Sequence, residues 1–157
     1  MRIKSLEISG LRGVKKNLSV NLDSSKSILI YGDNGSGKSS LADALEWFYY
    51  DKVEHLSSEE IGTKGITALR NTFLSDEEDA YVELKYTDSK YDSRKRLFLK
   101  KSKLTSENTN ATQVFNDYID TSLKENLILR YKDLLRFILS TKTEKLKEIS
   151  SIIGFSE

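Results

Sequence analysis

The residues whose types and spacing point most directly to chemistry form one glycine-rich loop. A short apolar run, Ile-Leu-Ile-Tyr over residues 28–31, leads into Gly-Asp-Asn-Gly-Ser-Gly-Lys-Ser over residues 32–39. This matches G-x-x-x-x-G-K-[ST] at every fixed position. A triphosphate requires several backbone N–H groups converging on it, and glycine lets the backbone curl that closely. The pattern therefore predicts a phosphate-binding loop between a buried strand and a helix.

The residue types in the loop predict how it binds a nucleotide. The helix that follows directs its N–H groups and positive dipole end at the phosphates. Lys38 reaches the β and γ oxygens, and the Ser39 hydroxyl is a ligand for Mg²⁺. The predicted cofactors are ATP and Mg²⁺. The predicted nucleotide-binding residues of this stretch are Gly32, Asn34, Gly35, Ser36, Gly37, Lys38, Ser39 and Ser40.

Length and composition narrow the class of protein. A chain of 157 residues with a formal net charge of +1 predicts one domain, large enough to bury a core. The absence of cysteine excludes disulfides, thiolate metal sites and cysteine nucleophiles. No apolar run approaches the roughly 20 residues of a membrane span, and the N-terminus does not resemble a signal sequence. We therefore expect a cytoplasmic protein with no membrane partner.

Periodicity in the sequence predicts the elements around the loop. Alternation favours an antiparallel pair of strands over residues 2–9 and 18–22, and a hairpin over residues 81–86 and 94–100. Helical spacing predicts one helix from the loop to about Tyr50 and further helices around residues 114–119, 134–139 and 142–153. Thr141 and Glu144 predict a capping box for the last helix, whose apolar residues are expected to be buried before Gly154 ends it. The weak pattern over residues 51–75 predicts a mobile excursion with little deep burial.

Two stretches carry a resemblance to a known family. The chain opens with Ile-x-x-Leu-x-Ile-x-x-Leu-Arg-Gly from Ile3, and the loop continues into Ser-Leu-Ala-Asp-Ala-Leu-Glu-Trp-Phe. With residues 128–138, 143–149 and 152–155 near the end, this resembles the first lobe of the ABC-type ATPase heads of the SMC, RecF and RecN group, which acts in DNA repair and chromosome maintenance. The resemblance implies an α/β fold with mixed or antiparallel strands around the phosphate-loop strand and helix. Residues 1–157 are then one incomplete ATPase domain, and residues 126–157 form a helical segment leading toward a coiled coil.

The resemblance also implies roles for individual residues. Arg12 lies where the family places an arginine beside the nucleotide, and a guanidinium contacts phosphate through several fixed donors. The family uses a glutamine before the coiled coil to sense Mg²⁺ and the γ-phosphate, but residues 130–133 read Arg-Tyr-Lys-Asp. Either Asp133 supplies a metal-facing oxygen or the sensing step differs. The single histidine, His55, is expected to be a surface residue.

Two catalytic elements of the family have no match in the sequence. No apolar run ends in Asp-Glu, the Walker B element that positions Mg²⁺ and water, and there is no Leu-Ser-Gly-Gly signature. In the family these elements belong to a C-terminal lobe that follows the coiled coil. The implied partners are therefore that missing lobe and a second ATPase head that dimerises on ATP binding. The catalytic residues stay unassigned, and the chain alone is expected to be inactive in hydrolysis.

A basic stretch in the second half is the other feature with chemical content. Between residues 90 and 103, seven lysines and arginines stand against the single acid Asp92. Such a ridge binds a nucleic-acid backbone without reading sequence. It is equally explained as a solvated edge hairpin whose charges prevent aggregation. The resemblance adds DNA as an expected partner, and the candidate contacts are Arg94, Lys95, Arg96, Lys100 and Lys101.

Two other functions remain open from the sequence. One is the ATPase part of a nuclease system such as the OLD-family enzymes, whose ATPase opening looks similar. The other is a nucleotide-binding module that assembles with partners and never hydrolyses ATP. The sequence does not distinguish chromosome maintenance, DNA repair and phage defence.

Overall fold

The chain divides into two compact units, Met1–Glu125 and Asn126–Glu157. The computed structural model describes residues 1–22, 27–58, 62, 64–124 and 127–152. The boundary between the units coincides with the start of the helical segment expected from residue 126. The length had led us to expect a single domain.

A five-stranded antiparallel sheet forms the frame of the first unit. Its order is β2-β1-β3-β4-β5, and the strands are β1 Ile3–Ser9, β2 Leu18–Asn21, β3 Ala80–Tyr86, β4 Ser93–Lys100 and β5 Lys103–Asn108. The helices are α1 Lys38–Tyr50, the short α2 Ile66–Leu69 and α3 Gln113–Lys124. The predicted β1–β2 pair is confirmed, with Leu6 opposite Val20, and so is the β3–β4 hairpin, with Glu83 opposite Arg94.

Strand β5 was not predicted from the sequence. It joins β4 through Lys101 and Ser102, which both have left-handed backbones at φ 50° and 61°. Two consecutive positive φ values match the right-handed twist of a two-residue hairpin. Lys100 and Lys103 pair directly across this turn. Because β5 is a polar edge strand, the apolar alternation that reveals a strand in sequence is weak there.

The core lies where α1 and α3 meet the sheet. Its largest fully buried side chains include Trp47 and Phe48 of α1, Phe115 of α3, and Ile8, Leu84 and Leu97 of the sheet. Residues 51–75 also contribute, since Val53 and Leu69 are fully buried. The expectation of little burial there is wrong at these positions, because isolated apolar residues without periodicity still fill gaps in a core.

A cluster of tyrosine hydroxyls closes one side of this core. The hydroxyl oxygens of Tyr49 and Tyr86 lie 2.8 Å apart, and Tyr118 donates to Tyr49 at 3.1 Å. Burial is the main cause that raises the pKa of both Tyr49 and Tyr86 above the ordinary value. The neutral phenols are therefore the form that the fold accommodates.

The buried strand expected before the phosphate loop does not form. Residues 28–31 have no strand assignment, and their exposed fractions run from 41% at Ile30 to 89% at Tyr31. The described sheet ends at β2 and β5 and does not pair with this segment. An apolar run becomes a buried strand only when neighbouring strands cover it.

The second unit consists of helices α4 Tyr131–Leu139 and α5 Lys142–Ile152. The predicted capping box is confirmed: Glu144 accepts from the Thr141 backbone N–H at 2.7 Å, and Thr141 accepts from the Glu144 N–H at 3.4 Å. The expected buried stripe of α5 is not found at Leu146 and Ile149, which are exposed. Ile153 and Gly154, included in that prediction, lie outside the described residues. No helix in the described part of the chain is long and apolar enough to cross a membrane.

Candidate nucleotide-binding site

The glycine loop has the backbone geometry of an anion-binding helix start. Gly35 and Gly37 have φ values of 86° and 88°, which side chains with a β-carbon rarely adopt. Helix α1 begins at Lys38 with Gly37 as its N-cap, and no side chain caps it. The first N–H groups of a helix lack intrahelical partners and favour anions. This loop therefore fits a phosphate group.

The Lys38 ammonium is folded back over the loop. Its Nζ donates to the carbonyl oxygens of Gly32 at 2.7 Å and Asp33 at 2.5 Å, and it lies 3.5 Å from the Ser36 hydroxyl. These are surface contacts that phosphate oxygens would replace. The lysine therefore lies at the rim of the loop where the sequence predicts its role.

The two serines after the lysine differ in environment. Ser39 is exposed. Ser40 is buried, and its hydroxyl accepts the Gly13 backbone N–H at 3.2 Å. We therefore assign Ser40 to packing of the loop that carries Arg12, whereas the predicted role of Ser39 stays a prediction.

Both backbone polar groups of Arg12, its N–H and its carbonyl, are hydrogen-bonded to residues 69–71. Arg12 has a φ of 45°, an uncommon conformation for a residue other than glycine. Its N–H donates to Leu69 at 2.8 Å, and its carbonyl accepts from the Asn71 side chain. Asn71 also donates its own N–H to Gly10 at 2.8 Å. Because residues 69–71 make these bonds, the segment expected to be a mobile excursion holds Arg12 in place.

The Arg12 guanidinium is anchored by two residues that the sequence did not connect with it. It forms an ion pair with the fully buried carboxylate of Asp43, one turn into α1, and donates to His55 Nε2 across 3.0 Å. His55 Nε2 also lies 3.6 Å from Asp43 Oδ1. His55 is exposed, as expected for a surface residue, and it also contacts the Arg12–Asp43 pair.

The sequence did contain one indication that Arg12 has a partner here: Asp43 is an acidic residue on the apolar face of α1. Asp43 stands between Leu41 and Ala44 on the buried face of α1. A buried carboxylate requires a cation or several hydrogen bonds. Ligand atoms of Asp43, Glu46 and His55 lie within 4.8 Å of one another, and the guanidinium of Arg12 supplies positive charge there.

The basic strand β4 separates its cations onto two faces. The Lys95 side chain is 5% exposed and its ammonium donates to the Trp47 carbonyl at 2.7 Å and pairs with Asp51 at 3.0 Å. Arg94 and Arg96 point to the other face, where Arg94 pairs with Glu83 and Arg96 lies 3.3 Å from Asp79. Lys95 cannot contact DNA from this position, because alternation along the strand buries it against α1.

Three lysines at the β4–β5 turn differ from the rest of the basic stretch. Lys100, Lys101 and Lys103 are exposed, and none of them forms an ion pair among the described residues. The positive surface is therefore a compact tip, shorter than the continuous ridge that the sequence suggested.

The catalytic carboxylate is not supplied by the described strands. They end in Ser9, Asn21, Tyr86, Lys100 and Asn108, and none ends in Asp-Glu. In the second unit, the Asp133 carboxylate accepts the Arg130 N–H at 3.1 Å, which caps α4. Asp133 therefore has a local structural role at the start of a helix.

The glycine loop at the start of α1 and the antiparallel sheet beside it define an ATPase-head fold of the phosphate-loop class. The chain belongs to the AAA domain family, whose model matches residues 5–154. The predicted resemblance and the α/β class with antiparallel strands are thus confirmed, although the strand expected before the loop does not form.

Two individual proteins extend this comparison. Over 60 residues the chain is 38% identical to structural maintenance of chromosomes protein 3 of Caenorhabditis elegans, covering 38% of this chain and 5% of that protein. The SMC head domain from Thermotoga maritima aligns with a TM-score of 0.51 at 21% identity, covering 99% of this chain and 58% of that one. The chain therefore spans a small part of the first relative and little more than half of the second.

Proposed function

We propose that this chain binds ATP and Mg²⁺ through residues 32–39 as the first lobe of a composite ATPase head that acts on DNA. The observation that carries the proposal is the uncapped start of α1, where Gly37 is the N-cap and Lys38 lies over the loop. Backbone N–H groups and one ammonium converge there, which is the donor set for a triphosphate.

Each group has a defined task in binding. The Lys38 ammonium exchanges its carbonyl partners for phosphate oxygens, and the Ser39 hydroxyl provides an oxygen ligand of the kind Mg²⁺ prefers. Mg²⁺ neutralises charge on the phosphates when it is bound. Arg12, held by Asp43, provides a second cation next to the loop. Binding and charge neutralisation are accounted for by these residues, but positioning of the attacking water is not.

The exposed segment before the loop supports a second lobe as partner. Residues 28–31 are apolar, and Leu29 and Tyr31 have most of their surface in solvent. Leaving such a run uncovered is unfavourable, because burial of apolar area contributes about 25 cal/mol per Å². We propose that strands of the missing lobe pair with this segment and bring the catalytic carboxylate, and that a second head completes each site.

Complementation tests the composite head. The isolated chain is expected to have negligible ATPase activity, because none of its described strands ends in a carboxylate that could position water. Adding a separately expressed C-terminal lobe, whether from the same gene or from a partner subunit, should produce turnover that rises more than linearly with protein concentration, since the active species is a dimer. The measurement is phosphate release, repeated with Lys38→Ala.

The outcomes separate the alternatives. Robust, Lys38-dependent hydrolysis by the isolated chain would contradict the composite site. Assembly of both lobes with bound ATP but without turnover would favour the non-hydrolysing assembly module instead.

We also propose that the lysines of the β4–β5 turn contact the DNA backbone. Lys100 and Lys101 are exposed without acidic partners among the described residues, whereas Arg94 and Arg96 are paired with carboxylates. Cations that already neutralise a neighbour release fewer counterions on binding DNA. The candidate surface is therefore the turn and not the whole strand.

Charge reversal tests this surface. A Lys100→Glu/Lys101→Glu variant of the assembled protein should bind duplex DNA more weakly, and its log–log salt slope should fall by about two, since each phosphate contact contributes roughly 0.9. Lys52→Glu, at an exposed lysine just after α1, is the matched control. Binding curves that match the wild type at every salt concentration would leave the turn a structural feature.

A further inference from the structure

Phe73 is an exposed aromatic ring on a well-defined turn. Its side chain is 76% exposed. The turn is fixed by Asn71, which is buried, accepts the Phe73 N–H at 2.9 Å through its side chain and accepts the Leu74 N–H at 3.2 Å through its carbonyl. The ring is therefore presented to solvent by a constrained backbone, and what it can bind depends on its neighbours.

A chain of contacts connects this ring to the phosphate loop. Asn71 is hydrogen-bonded to both Gly10 and Arg12, so the Phe73 turn sits directly on the arginine-bearing loop. That loop touches the start of α1, where the Gly13 N–H donates to Ser40 at 3.2 Å. The side chain of Val14 also approaches the loop, since its Cγ2 lies 3.8 Å from where a β-carbon on Gly37 would stand.

Lys15 lies between the arginine-bearing loop and the Phe73 ring. It follows Val14 in the chain, and its Nζ lies 5.8 Å from the centroid of the Phe73 ring. A cation within about 6 Å of an aromatic face is attracted to it. An exposed aromatic ring with a lysine over one of its faces therefore lies near the loop proposed to bind the phosphates.

We propose that Phe73 stacks against the base of the bound nucleotide, with Lys15 at the edge of the base site. The inference rests on the proposed nucleotide binding at residues 32–39 and deepens it by naming the group that recognises the nucleoside. Aromatic rings stack on any base because every base has a π-face. The site therefore selects nucleoside triphosphates over inorganic polyphosphate, with little discrimination among bases from this contact.

The test compares ligands with and without a base. The intact chain and its Phe73→Ala variant are titrated by calorimetry with ATP, GTP and inorganic tripolyphosphate, all with Mg²⁺. The alanine variant should bind ATP and GTP about 5- to 150-fold more weakly, which is the effect of losing one base–aromatic stack. Tripolyphosphate affinity should be unchanged, and Phe73→Tyr should restore nucleotide affinity.

Two controls isolate the stack. Phe98→Ala removes another aromatic residue, on the outer face of β4, and should change no affinity. Lys38→Ala should weaken nucleotides and tripolyphosphate alike, because it acts on the phosphates. Thermal unfolding of each variant checks that the fold is retained.

Each contrary result has a distinct meaning. If the wild-type chain binds neither ATP nor tripolyphosphate, the proposed nucleotide binding fails and the stack with it. If it binds both and Phe73→Ala changes neither, only the stack is overturned. Equal weakening of ATP and tripolyphosphate would also overturn it, as would a Phe73→Ala defect confined to association with the second lobe.

Discussion

A Lys38→Ala variant is expected to lose affinity for Mg²⁺-ATP by tens of fold or more while the chain stays folded. Within the part of the chain that the structure describes, the ammonium hydrogen-bonds to the loop itself, through the carbonyls of Gly32 and Asp33 and the nearby Ser36 hydroxyl. With nucleotide bound it would form charge-assisted hydrogen bonds to phosphate, each worth about 1.5–3 kcal/mol. One such bond corresponds to roughly 10- to 150-fold in affinity.

Calorimetric titration of the wild type and the variant measures the difference. Lys52→Ala removes an exposed lysine just beyond the other end of α1 and serves as the control for net charge. Lys38 makes no contact with the core, so the melting temperature of the variant should match the wild type. An unchanged dissociation constant in a folded Lys38→Ala protein would refute the phosphate-binding role.

The second large effect that we expect is a loss of stability in a Lys95→Met variant. The Lys95 ammonium donates to the carbonyls of Trp47 and Phe48 in the last turn of α1 and pairs with Asp51 just after it. Methionine keeps much of the volume but supplies no donor or charge to this helix end. Relief of the desolvation of the ammonium offsets part of the loss. We expect the free energy of unfolding to fall by roughly 2 kcal/mol.

The pH dependence of this difference tests its cause. Burial lowers the pKa of Lys95 below its value of 10.5 in the unfolded chain, although Asp51 opposes the shift. Between the lowered pKa and 10.5 the unfolded state binds more protons, so stability from this group rises with pH. The difference in the free energy of unfolding between wild type and Lys95→Met should therefore increase as the pH rises from the lowered pKa to 10.5.

Denaturant unfolding of both proteins at several pH values measures this difference in the free energy of unfolding directly. Lys100→Met, at the exposed end of the same strand, is the matched control and should differ little from the wild type at any pH. A Lys95→Met protein as stable as the wild type would mean that the last turn of α1 does not depend on this lysine. If this difference in the free energy of unfolding stays constant or decreases as the pH rises, the explanation that burial destabilises the charged Lys95 ammonium is wrong.

Local spacing in the sequence was sufficient for the elements whose residues are close together in the chain. The glycine loop and Lys38 lie within a few residues, and α1 carries its apolar face in a regular helical repeat. The β3–β4 hairpin likewise joins neighbouring segments. These features depend on short-range sterics and periodicity, which a single sequence displays.

Tertiary structure alone decided which groups meet over long separations. Arg12 and Asp43 are 31 residues apart, and Lys95 lies 48 residues from the Trp47 carbonyl that it caps. The sequence Arg94-Lys95-Arg96 reads as one basic run, yet alternation along β4 buries only the middle residue. Residues 28–31 read as a buried strand, but in this chain no described strand pairs with them. Burial and strand pairing depend on which other segments pack against a given segment. The sequence pattern of that segment alone does not show which segments these are.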